Sequence, residues 1–106
     1  MDSRQLHHAA SHISQIVTWD KEWLHFGTGS DIKLSLVQEL IDEFLKDDTL
    51  QLVHDRINSK TIKRTEIVKA IHDLLGQQSF QVWNSTMDKV IKFDRIGVLL
   101  TGRRHI

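Results

Sequence analysis

Apolar residues recur along this chain at spacings of three and four more often than they alternate. Leu6, Ala9, Ala10, Ile13, Ile16, Val17 and Leu24 fall on one side of a helix drawn over residues 3–24, the period of an amphipathic helix. Asp20 interrupts that stripe, and His8, His12, Gln15 and Trp19 lie opposite it. His25-Phe26-Gly27-Thr28-Gly29 reads as a loop, because two close glycines stop a helix. Ser30 or Asp31 then caps a second helix over residues 31–46. Ile32, Leu36, Val37, Leu40, Ile41, Phe44 and Leu45 give it an apolar arc wide enough to mark the central helix. Asp47-Asp48-Thr49 breaks the pattern, and Leu50, Val53 and Ile57 predict a short third helix to about residue 57.

Two further helices follow from the same period. Thr61 or Thr65 caps a fourth over residues 64–75, with Ile67, Val68, Ala70, Ile71, Leu74 and Leu75 facing inward. Gly76 stands where a left-handed residue commonly closes a helix. Ser79 caps a fifth over residues 79–92, with Phe80, Trp83, Met87, Val90 and Ile91 as its stripe. Val98-Leu99-Leu100 either extends this helix past Gly97 or forms a strand, and residues 96–106 can close a small β-hairpin wing. The chain has no proline, which leans the same way, since proline breaks helices. The expected fold is an all-α bundle of about five helices, one α-helical domain over residues 1–106.

Composition adds little until charge is divided along the chain. The formal net charge of the 106 residues is zero. Residues 1–58 carry five Lys/Arg against ten Asp/Glu, and residues 59–106 carry nine against four. Such a split points to a region that meets an anionic partner, or to a chain that meets a protein through opposite patches. Cysteine is absent, which removes disulfides, thiolate metal sites and cysteine nucleophiles. The first residues contain no apolar leader and no run approaches the roughly 20 residues of a membrane span, so a cytoplasmic protein without a membrane segment is expected.

Candidate chemistry is thin. His8 and His12 share the i, i+4 spacing of a metal-binding pair, but a site needs further ligands, so no metal is assigned. Gly27-Thr28-Gly29-Ser30-Asp31 lacks the phosphate-loop pattern and reads as a turn. No serine–histidine or carboxylate constellation meets the geometry of catalysis, so neither an enzyme nor a cofactor is expected. Two binding readings remain. In the first, a small regulatory interaction module docks a protein partner or its own copy through His8, His12 and Trp19 and through the acidic Glu39, Asp42 and Glu43. In the second, residues 64–92 form a helix-turn-helix on nucleic acid. There Gln81, Asn84 and Ser85 face bases, and Lys89, Lys92, Arg95, Arg103 and Arg104 face phosphates. The first is preferred, because a pI near 7 is low for a dedicated DNA binder.

Overall fold

Helices form where the apolar period is sustained by straight-chain residues: α1 (Ser3–Ile13), α2 (Leu34–Phe44) and α3 (Arg64–Ile71). The computed structural model describes residues 3–13, 15–27, 32–54 and 59–104. Within them α2 and α3 lie inside two of the expected helices. Gly76 has φ 73° and follows α3 through a set of turns that begins with Leu75 N–H donating to the Ile71 carbonyl at 3.1 Å. Lys33 and Lys63 occupy the cap positions, neither with a side-chain cap bond. The expected caps Ser30 and Asp31, and the glycine loop beyond Gly27, lie outside the described residues. Thr61 is in a strand and Thr65 is already helical.

The other expected helices are strands, and the all-α bundle is overturned. Residues 3–24 hold α1, then β1 (Val17–Trp19) and β2 (Leu24–His25). The third helix is β3 (Thr49–Val53), followed by β4 (Lys60–Lys63). The fifth helix is two strands, β5 (Phe80–Asn84) and β6 (Lys89–Asp94), and the chain closes with β7 (Val98–Arg104). The helix-turn-helix is therefore absent. The expected hairpin wing within residues 96–106 does not form: its described residues give one strand, β7, which pairs with β6 in the main sheet. Among the described residues these strands make one antiparallel sheet in the order β1-β7-β6-β5-β3-β4, with β2 also on β7.

The physical reason lies in burial on both faces. Successive strand residues point to opposite sides, and both sides here are covered. Leu50, Leu52, Phe80, Val82, Ile91, Phe93 and Leu99 meet Val37 and Ile41 of α2 and Ile67 and Ile71 of α3 in one cluster. Val53, Trp83, Met87 and Val90 meet Leu6 and Ala10 of α1 in another. A strand buried on both faces loses its alternation and reads as an apolar run. Phe80 stacks on Phe93 with centroids 4.7 Å apart, and Phe26 meets Phe93 edge-on at 5.6 Å.

The charge split does not divide the molecule. β3, from the acidic half, lies between β4 and β5 of the basic half. Across the halves, Arg64 Nη1 stands 4.0 Å from Asp42 Oδ1. Asp20, which interrupted the first apolar stripe, ends β1: its carboxylate accepts the Thr101 hydroxyl, and its N–H donates to the Thr101 carbonyl at 2.9 Å.

Candidate functional site

Two features stand out from this scaffold: a cleft beneath α1 and a set of exposed apolar residues on the β7 side of the sheet. The cleft forms because Ala10 and Ser11 are small. They leave a gap of about 190 Å³ between α1 and the sheet. Register sets its floor: Gln81 pairs with Val53 on one side and Lys92 on the other. His7, Ala10 and Ser11 form the helix wall, with His54, Ser79 and the backbone near Phe80 and Phe93 around the rest.

Several polar groups of this cleft have protons to donate. Indole N–H can only donate, so the Gln81 atom 3.0 Å from Trp83 Nε1 is its carbonyl oxygen. The Gln81 amide NH₂ is thereby left to donate elsewhere. Ser79 Oγ accepts from Arg95 N–H at 3.3 Å and keeps its own hydroxyl proton. His54 Nε2 donates to Gln78 Oε1. Lys92 Nζ lies 5.7 Å from the centroid of Trp19, above the ring. The Trp19 ring reaches that place over Gly102, its cross-strand partner. A Cβ on Gly102 would stand 2.7 Å from Trp19 Cε3 and 2.6 Å from Val17 Cγ1, so glycine is required for this close approach. Among the described residues no carboxylate lines the cleft.

The expected partner-binding residues do not share one surface. His8 and His12 are exposed on α1, whereas Trp19 is half-buried on β1 and packs with the α1 cluster. Trp19 therefore does not project with the two histidines from one helix. Glu39, Asp42 and Glu43 are exposed on α2, on the other side of the sheet. Asp42 is partly engaged, accepting from Gln38 Nε2 at 3.0 Å besides facing Arg64. Among the described residues no three of His, Asp or Glu gather as metal ligands.

The residues expected on nucleic acid scatter. Gln81 and Lys92 share the cleft floor. Asn84 is buried and shapes the turn between β5 and β6, its Oδ1 accepting Asp88 N–H at 2.9 Å and Lys89 N–H at 3.1 Å. Its amide also donates to Asp88 Oδ1. This bond, and the Thr86 hydroxyl at 2.8 Å, hold the Asp88 carboxyl below its ordinary range. Ser85 donates through N–H and Oγ to Asp47 Oδ2, at 2.9 and 2.5 Å. Lys89 and Arg103 are cross-strand partners flanking the Phe44 ring at 5.7 and 5.2 Å. Lys92 and Arg104 point to the opposite face by strand alternation, and Arg95 lies in the turn before β7. The five cations therefore form no continuous stripe.

The second feature was not foreseen. Trp23 is 43% exposed, Leu24 40% and Ile96 69%. Leu24 pairs with Leu99 and His25 with Val98, while Phe26 N–H donates to the Gly97 carbonyl at 2.9 Å. That register sets Trp23 level with Leu100 and Ile96 level with Gly27, so the exposed apolar residues are spread along the β2 side of the sheet. A helical reading of residues 3–24 hides them, because it counts Leu24 as core. The other sheet edge, β4, carries Lys60 and Lys63 and borders a groove of about 660 Å³ with Glu66, Lys69 and Ala70 of α3. No helix among the described residues is long and apolar enough to cross a membrane. Comparison with family models, curated proteins and solved structures finds no match for this chain.

Proposed function

We propose that the protein is a non-catalytic interaction module that pairs with a second copy of itself through the edge formed by β1 and β2. One observation carries this reading: Leu24, in the edge strand β2, and Trp23, just before it, stand exposed at 40% and 43%. Edge strands present unpaired backbone groups, and lysines on an edge discourage pairing with another chain. β4 has two such lysines, which would oppose each other across a β4–β4 contact. β1 and β2 themselves contain no Lys, Arg, Asp or Glu, the exposed Asp20, Lys21 and Glu22 lying in the link between them. A formal net charge of zero leaves little long-range repulsion between copies.

Large aromatic side chains anchor interfaces when water is excluded around them. Sedimentation velocity over a range of protein concentrations tests the assignment. The wild-type chain is expected to shift to a dimer as concentration rises. Trp23→Ala should weaken that step by about 2 kcal/mol, or about thirtyfold, with the far-ultraviolet spectrum unchanged. A monomer at every concentration, or a dimer indifferent to Trp23→Ala, would remove the proposal.

A further inference from the structure

We infer that the cleft between α1 and the sheet is a binding site for a small phosphate-type oxyanion, free or carried as a phosphate monoester on a small molecule. The argument starts from the balance of donors and acceptors. His7, Ser79, Gln81 and Lys92 come from a helix, a strand entry and two adjacent strands, and all line the same gap. Two of these have an acceptor already occupied: the Gln81 carbonyl by Trp83 and the Ser79 oxygen by Arg95 N–H. Each still has a proton to offer. Lys92 adds a full positive charge. Its Nζ sits 5.7 Å from the Trp19 ring centroid, and the Gln81–Lys92 pairing sets where its stem leaves the sheet.

A site of this kind selects for negative charge, because bonds from a cation or an amide to an ionised oxygen are the stronger class. None of the described residues of the lining is a carboxylate that would compete for them. The directions also matter. A carboxylate offers two oxygens in a plane, whereas a phosphate offers oxygens in several directions. Donors on the floor and on two walls suit the second shape better. The gap of about 190 Å³ falls below the roughly 300–1,000 Å³ of sites that engulf drug-sized ligands. It therefore accommodates an anionic head group, with any attached carbon skeleton directed outward.

The test is a titration of ¹⁵N-labelled protein with inorganic phosphate, with glycerol phosphate and with acetate, at constant ionic strength. Saturable shifts are expected at His7, Ser79, Gln81 and Lys92 with both phosphates, and much weaker shifts with acetate. Tighter binding of glycerol phosphate would assign the site to an ester, and equal binding to the free ion; both uphold the oxyanion. Lys92→Met keeps the apolar stem and should weaken binding about tenfold or more. His7→Ala, on the half-exposed helix wall, should weaken it without touching the sheet. Lys69→Met, a cation in the groove beside β4, should leave it unchanged. Three results would overturn the inference: no saturable shift with either phosphate, acetate binding as well as phosphate, or an effect of Lys69→Met equal to that of Lys92→Met. If Lys92→Met unfolds by circular dichroism, the His7→Ala and Lys69→Met comparison decides alone.

Discussion

Asn84 shows how one buried amide ties a turn to the sheet, and its removal has a calculable cost. Asn84→Ala deletes two bonds accepted by Oδ1, from Asp88 and Lys89 N–H groups, and one donated to the Asp88 carboxylate. The two backbone donors lie near the surface and regain water, so each loss costs about 0.5–1 kcal/mol, while the bond to the ionised carboxylate is worth about 1.5 kcal/mol. Together the expected destabilisation is about 2.5–3.5 kcal/mol at neutral pH, a large share of the margin of a domain this size. Acid provides the second reading. The Asp88 carboxyl is held below its ordinary value first by Asn84 and then by Thr86. Its stabilising contribution is therefore complete above the unfolded aspartate pKa of about 3.9 and is lost as pH falls through the lower folded value. Urea unfolding at pH 7 and near pH 3 should show the wild-type and Asn84→Ala curves converging in acid. A neutral-pH difference below about 0.5 kcal/mol, the scale of ordinary surface changes, would refute the account of this turn. So would a gap that widens in acid.

Three further substitutions separate core from surface. Gly102→Ala forces a methyl group into Val17 and the Trp19 ring, and should cost about 1–3 kcal/mol with a shift in tryptophan emission; unchanged stability would mean Trp19 does not lie over Gly102. Trp19→Ala removes a half-buried ring from the α1 cluster and should lower stability by about 2 kcal/mol, read by chemical denaturation. Trp23→Ala, at an exposed position, should change stability by less than about 0.5 kcal/mol. The reverse order for the two tryptophans would exchange their roles as core and surface.

The helices α2 and α3 were legible because each shows one apolar face over two or three turns, and the left-handed Gly76 was legible from its place after α3. The strands were hidden by their own burial. Phe80, Trp83, Met87, Val90 and Ile91 are spaced like one helical stripe, yet they come from two strands and a turn, and they face both sides of the sheet. The absence of proline misled for a physical reason: sheet interiors exclude proline as firmly as helices do. Residue type carried the better signal, since Val82, Trp83, Val90, Ile91, Phe93 and Val98 are the β-branched and aromatic kinds that suit a pleated surface.

At the sites the same error had a specific cost. Gln81 and Lys92 were singled out for a helix face, and they meet instead as cross-strand partners on the floor of a cleft. Asn84 and Ser85 spend their hydrogen bonds inside the molecule. Glu39, Asp42 and Glu43 are on an outer helix face as their period implied. Trp23 and Ile96 could not be picked out, because their exposure depends on how β2 and the β6–β7 turn meet the end strand β7, a long-range consequence of register.

The central claim is that the β1/β2 edge is where this protein meets a second copy. Amide spectra of the ¹⁵N-labelled chain recorded over a dilution series test it directly, because they locate the contact residue by residue. The account predicts concentration-dependent shifts at Val17–Trp19, at Trp23–His25 and at Ile96, with Lys60–Lys63 of the opposite edge unmoved. Shifts centred on Lys60–Lys63, or spectra that do not change with concentration, would contradict it.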